Sequence, residues 1–126
     1  MRTILLVEDD ETYAYTASKA IGEAGYNVIT AGEFSEALRV LENQRVDLLV
    51  VDIVMPGQPH GFALARMARR RVPSLPVIYV TAHPDRADPE RDTALGEIFE
   101  KSQGFEALIT QIKTSIKEGP QQELRD

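Results

Sequence analysis

Apolar runs and amphipathic stretches alternate along the chain, and that alternation predicts its elements. Thr3 to Val7 is a short apolar run with the composition of a strand covered on both faces. Beyond Glu8-Asp9-Asp10, Ala14, Ala17, Ala20, Ile21 and Ala24 recur at helical spacing, and Gly25 follows as a terminator. Tyr26 to Thr30 again reads as a strand. Ala31-Gly32 turns the chain, and Phe34, Ala37, Leu38 and Leu41 predict a second amphipathic helix. After the polar Asn43-Gln44-Arg45 comes Val46 to Asp52, the most apolar stretch and therefore the expected central strand. Pro56, Gly57, Pro59 and Gly61 make Met55 to Gly61 a loop. Phe62, Ala65, Met67 and Ala68 predict a third helix. Arg66, Arg69, Arg70 and Arg71 lie towards its C-terminal end, where cations complement the helix dipole, and read as a solvated helix end. Val77 to Thr81 predicts a fourth strand. Ala82 to Gly96 is polar, carries Pro84 and Pro89, and has room for one short helix around Glu90 to Leu95. Glu97 to Glu100 is a short fifth strand. Phe105, Leu108, Ile109, Ile112 and Ile116 form the clearest helical stripe, which Gly119-Pro120 ends.

Strand and helix thus alternate five times with short connections. That pattern implies right-handed crossovers and a doubly wound α/β fold, a parallel sheet with helices on both faces. With no linker or internal repeat, residues 1–119 are expected to form one domain and residues 120–126 a polar tail. In such sheets a site forms beyond the carboxyl ends of the strands, where strand order reverses.

Composition narrows the classes. The formal net charge of -6 argues against sequence-independent nucleic-acid binding, which needs a basic surface. The absence of Cys excludes disulfides and zinc-thiolate sites. No apolar run approaches the roughly 20 residues of a membrane span, and the N-terminal run meets acids too soon for a signal peptide. The expectation is a cytoplasmic protein without membrane or nucleic-acid partners.

The strand ends carry the chemistry. Strands one, three, four and five are followed by or end on Glu8-Asp9-Asp10, Asp52, Thr81 and Lys101. Clustered carboxylates cannot all stay ionised without a cation. Oxygen ligands without His or Cys select a hard ion, and few carboxylates completed by water and phosphate oxygens suit Mg²⁺ better than Ca²⁺. Asp52 could act as a nucleophile forming an acyl phosphate, with Lys101 pairing one phosphoryl oxygen and the Thr81 hydroxyl donating to another.

Ile4-Leu5-Leu6-Val7-Glu8-Asp9-Asp10, Val51-Asp52-Ile53-Val54-Met55-Pro56, Val80-Thr81-Ala82 and Lys101, in this order and at these separations, resemble the receiver domain of two-component response regulators. The resemblance spans essentially the whole chain. It implies a flavodoxin-like sheet of order 2-1-3-4-5 with five helices, and phosphoryl transfer from a sensor histidine kinase or phosphotransfer protein to Asp52. It also implies that Asp9 ligates Mg²⁺ directly and Glu8 through water, with Asp52 and the backbone carbonyl of Val54 completing the protein ligands. The chain would be a signalling protein rather than a metabolic enzyme, a monomer or a phosphorylation-dependent dimer. No output domain is expected within these residues, so the chain would act on an unknown downstream protein or pass the phosphoryl group onward, unless an output domain follows in a longer protein.

The chain departs from the family pattern at several points. Ser102 follows Lys101 where a proline is usual. Gly57 to His60 makes the loop one residue longer. The segment from Thr81 to Lys101 is short and bears two prolines, so the fourth helix is expected to be short or irregular. The usual aromatic switch position is Ile98, and the neighbouring Phe99 would point to the other face of the strand.

Plainer readings stand beside these. Asp52 could cap a turn. Asp10 is expected mainly to cap the first helix. Thr81 alone is a common strand-end residue, and Lys101 alone an ordinary solvated lysine. His60 and His83 read as exposed loop residues, with modulation of dephosphorylation an alternative for His83. Tyr13 and Tyr15 read as packing or surface residues. Two competing functions follow. One is a pseudo-receiver that binds partners without taking phosphate. The other is a small enzyme on the same topology, a flavin protein or an aspartate-nucleophile phosphatase. The acidic residues after the first strand argue against a flavin loop, and Val54 stands where the phosphatase needs a second Asp.

Overall fold

A computed structural model of the chain describes residues 1–57, 60–88 and 95–117. Its strands are β1 (Thr3–Val7), β2 (Asn27–Ala31), β3 (Leu48–Asp52), β4 (Val77–Thr81) and β5 (Gly96–Glu100). Between and after them lie α1 (Glu11–Glu23), α2 (Phe34–Asn43), α3 (Gly61–Arg71) and α4 (Phe105–Lys117), with 3-10 turns at Pro84–Arg86 and Lys101–Gln103. All strand pairs are parallel, and the order is β2-β1-β3-β4-β5, as the resemblance implied.

Every residue of β3 and β4 is buried, whereas β2 and β5 at the sheet edges are partly exposed. That explains the unbroken apolar runs, since a central parallel strand is covered on both faces. The period-two alternation of side chains divides the interior. Leu5, Val7, Leu49, Val51 and Tyr79 pack with Ala37, Leu41, Leu64, Ala65 and Ala68 of α2 and α3. Ile4, Leu6, Val50, Ile78, Val80 and Phe99 pack with Ala17, Ile21, Leu108 and Ile112 of α1 and α4. Phe99 is therefore a core residue, and Ile98 packs with the opposite layer, as the strand period requires.

Asp10 caps α1 as expected, its carboxylate accepting the amide protons of Thr12 at 3.0 Å and Tyr13 at 3.2 Å. His60 is half-buried rather than a bare loop residue: it caps α3, with Nδ1 accepting from the Phe62 amide at 3.0 Å. The arginine cluster also needs correction. Arg66, Arg70 and Arg71 are exposed, but Arg69 turns inward and donates to the carbonyl oxygens of Leu75 and, at 2.8 Å, Leu95. It ties the end of α3 to the entries of β4 and β5. Arg69→Ala leaves these carbonyls without their donor and is expected to destabilise the fold by about 1–3 kcal/mol. A lowered urea midpoint at unchanged slope checks this.

Most of the short helix expected around Glu90 to Leu95, like the tail from residue 120, lies outside the described residues. Among the described residues, no helix is long and apolar enough to cross a membrane.

Candidate functional site

The sheet register brings the polar strand ends to one edge. Val7 is level with Val51, and Asp52 with Val80, so Glu8, Asp52 and Thr81 emerge side by side. Lys101, next after β5, opens a 3-10 turn and reaches back over the edge. Its Nζ lies 2.7 Å from Glu8 Oε1 and 3.1 Å from Asp52 Oδ2. The second oxygens are held by the backbone. Asp52 Oδ1 accepts from the Val54 amide at 3.0 Å, and Glu8 Oε2 from the Asp10 amide at 3.0 Å. These bonds fix both carboxylates although Glu8 is only 2% exposed and Asp52 5%.

Burial pushes the Glu8 carboxyl up to about 7; the Lys101 hydrogen bond lowers it, and the Asp52 charge adds to the rise. Burial also pulls the Lys101 ammonium down, but its bond to Glu8 and the charge of Asp52 outweigh this and leave it above its ordinary value. Two acidic side chains thus share one ammonium, and with Asp9 beside them the cluster has more carboxylates than this cation can pair. Carboxylate oxygens of Glu8, Asp9 and Asp52 lie within 4.8 Å of one another, so one ion could touch all three. The donors are all hard oxygens, a set that fits a hard divalent cation. Asp9 is exposed and gives such an ion a route from solvent.

The cleft above Asp52 has a volume of about 250 Å³ and is walled by Asp9, Val54, Pro56, His83, Arg86 and Lys101, among others. Thr81 is not in that wall. It is completely buried, accepts from the His83 amide at 2.9 Å, and lines a neighbouring cavity with Tyr13, Lys101 and Phe105. The structure therefore brings Glu8, Asp9, Asp52, Val54 and Lys101 together and holds the Thr81 hydroxyl aside. Arg86 at the cleft wall is an addition, since nothing in the sequence separates it from other loop arginines. Of the two tyrosines, Tyr15 is 69% exposed, while the Tyr13 ring lies under Lys101, Nζ to centroid 4.3 Å.

The seat of Asp52 depends on a glycine. The first residue of α3, Gly61, donates its amide to the Ile53 carbonyl at 3.1 Å. A Cβ there would press on the Asp52 carbonyl oxygen and come within 3.2 Å of Ile53 Cα. Gly61→Ala is expected to cost about 1–3 kcal/mol of stability and to displace Asp52. A lowered melting temperature, with altered amide shifts at Ile53 and Val54, checks this.

Comparison with known proteins agrees with this geometry. The model of the response regulator receiver domain matches residues 4–113. Transcriptional regulatory protein AfsQ1 of Streptomyces coelicolor is 36% identical over 88 residues, which are 70% of this chain and 38% of that protein. DNA-binding transcriptional regulator NtrC of Escherichia coli is 37% identical over 82 residues, covering 65% of this chain and 17% of that protein. The chain thus spans well under half the length of these curated relatives. Among solved structures, a CheY-like receiver domain protein from Methanospirillum hungatei superposes with a TM-score of 0.83 at 26% identity, covering 94% of this chain and 95% of that one. Response regulator TrrA of Thermotoga maritima, in complex with Mg²⁺ and BeF, gives 0.76 at 27% identity, covering 90% and 98%. With the fold, the strand-end cluster and the family match in agreement, the chain belongs to the response regulator receiver domain family.

Proposed function

We propose that Asp52 accepts a phosphoryl group from a histidine kinase or phosphotransfer protein, and that the acyl phosphate switches the contacts of the domain with a downstream protein. The observation that carries this reading is a nearly buried carboxylate at the end of the central strand, ion-paired to Lys101 and flanked by Glu8 and Asp9. An Asp52 oxygen attacks phosphorus. The bond from phosphorus to the donor's imidazole nitrogen breaks, its electron pair leaves with the imidazole, and a new oxygen–phosphorus bond forms. In hydrolysis, water attacks phosphorus, the bond from phosphorus to the Asp52 oxygen breaks with its electron pair returning to the carboxylate, and inorganic phosphate departs carrying the protons of the water. Lys101 passes from the carboxylate to a phosphoryl oxygen. Glu8, Asp9, Asp52 and the Val54 carbonyl would hold Mg²⁺, which when bound supplies positive charge against the phosphoryl oxygens. The Thr81 hydroxyl gives up the His83 amide and turns to the new charge, which draws the segment after β4 with it. The setting is the cytoplasm, and the form a monomer or a dimer made on phosphorylation.

A second reading, an interaction module that never takes phosphate, is favoured by one observation. The usual aromatic switch position holds Ile98, and Phe99 beside it is locked in the core. Incubation with acetyl phosphate and Mg²⁺ separates the two. The expected product carries one hydroxylamine-labile phosphoryl group, mapped to Asp52 by mass spectrometry. Unmodified protein that also fails to bind beryllofluoride supports the second reading.

A further inference from the structure

Lys101 is held from three directions. Two are the carboxylates of Glu8 and Asp52; the third is the face of Tyr13, 4.3 Å from Nζ. That ring is itself backed by Phe105, with centroids 5.3 Å apart and planes inclined at 38°. Tyr13 belongs to the first turn of α1, where its amide donates to the Asp10 carboxylate, and Phe105 is the first residue of α4. Two helix starts therefore meet under one ammonium. Burial pushes the Tyr13 hydroxyl up to about 12, so the ring stays neutral and presents its electron-rich face to the cation.

Such a support has a physical task here. A lysine is a point charge on a flexible stem, and two carboxylate contacts alone leave that stem room to move. The residue after it is Ser102, whose φ is free where a proline's would be fixed. Beside it lies a cavity of about 450 Å³, shared by Tyr13, Thr81, Lys101, Ser102 and Phe105, into which an unsupported lysine could swing. We propose that Tyr13, backed by Phe105, is the positioning residue that keeps the Lys101 ammonium over Asp52. The proposal rests on the reading of Asp52 as phosphoacceptor.

The test compares Tyr13→Leu with Tyr13→Phe in the full chain. Tyr13→Phe keeps the ring; Tyr13→Leu keeps an apolar side chain without a π face. In the metal-free protein, the ε-methylene protons of Lys101, assigned by their loss in Lys101→Ala, are expected upfield in the wild type and Tyr13→Phe. They return to ordinary values in Tyr13→Leu. With acetyl phosphate at saturating Mg²⁺, Tyr13→Leu is expected to slow phosphorylation about tenfold, while Tyr13→Phe stays within about twofold of wild type. Tyr13→Leu should bind Mg²⁺ no more weakly than the wild type, since a loosened Lys101 leaves Glu8 and Asp52 freer for the ion, so the slower reaction does not come from lost metal. A Tyr13→Leu protein as fast as wild type, or a Tyr13→Phe protein as slow as Tyr13→Leu, overturns the proposal. If the wild type takes no phosphoryl group, it is the reading of Asp52 that fails. The lysine shifts then still decide whether Tyr13 holds Lys101. Should Tyr13→Leu not fold, Tyr13→Met carries the same comparison.

Discussion

Asp52→Asn is expected to abolish acyl phosphate formation and to remove most of the stabilisation that Mg²⁺ gives the wild type. The change is nearly isosteric. An amide oxygen can still accept from the Val54 amide, so the strand end keeps its shape. What goes is the proposed nucleophile: an amide oxygen carries no full charge and forms no acyl phosphate. Incorporation should fall at least about 10³-fold, to the background of other carboxylates. The metal effect is separate. At free Mg²⁺ near 100 times Kd, the wild type gains about 2.7 kcal/mol, a rise on the order of 10 °C in melting temperature. Asp52→Asn withdraws one of the three clustered carboxylates, leaving Glu8, tied to Lys101 at 2.7 Å, and the exposed Asp9. Calorimetric scans with and without Mg²⁺, beside mass spectrometry after acetyl phosphate, read the two effects independently. A full Mg²⁺ shift in Asp52→Asn removes Asp52 from the ion's neighbourhood; phosphoryl incorporation removes it as acceptor.

The strands were readable because the fold covers both faces of β1, β3 and β4 over nearly their whole length, so their residues stay apolar up to the carboxyl end of each strand. The same logic exposed the site. Charged or polar residues that end or follow such runs have nowhere to go but the sheet edge, which is how Glu8, Asp52 and Thr81 stand out, while Lys101 stands out by its place after the short fifth strand. What the strand pattern could not supply was the direction of side chains that leave the edge. The Thr81 hydroxyl accepts from the His83 amide, a loop hydrogen bond with no sequence signature, and Thr81 lines the side cavity rather than the cleft above Asp52. Arg69 and Tyr13 are different, for each had a signal. Arg69 continues the row Gly61, Ala65 on the buried side of α3, and Tyr13 begins the row Ala17, Ile21 on the buried side of α1. Residues four apart share a helix face, so both point inward. The neighbouring Arg70 and Arg71, and Tyr15, lie off these rows and are exposed. Reading the arginines as one cluster and the tyrosines as one pair hid this distinction.

Lys101→Ala is expected to damage the chemistry and the fold together. In the phosphorylation assay it removes the ammonium that touches Asp52, and a loss of about 10²–10³-fold is the usual result of deleting a preorganised charge donor. In the metal-free fold it leaves Glu8 Oε1 and Asp52 Oδ2 facing each other in a buried site with no cation between them. Breaking a buried pair by removing one partner costs about 3–5 kcal/mol. The Lys101 side chain is 14% exposed, so water can partly replace it, and about 2–3 kcal/mol is the discounted expectation. Mg²⁺ should restore more stability to this variant than it gives the wild type, because it then supplies the positive charge that Lys101 no longer places between Glu8 and Asp52. Urea denaturation with EDTA and with Mg²⁺ measures both. Lys101→Arg separates the two functions of the residue. A guanidinium restores the charge and hence much of the stability, but its planar fork cannot follow one phosphoryl oxygen as a compact ammonium does. Phosphorylation should therefore stay well below wild type. An arginine variant restored in both would show that charge alone is required; an alanine variant as stable as wild type without metal would show that the desolvation of Lys101 cancels its pairing with Glu8 and Asp52.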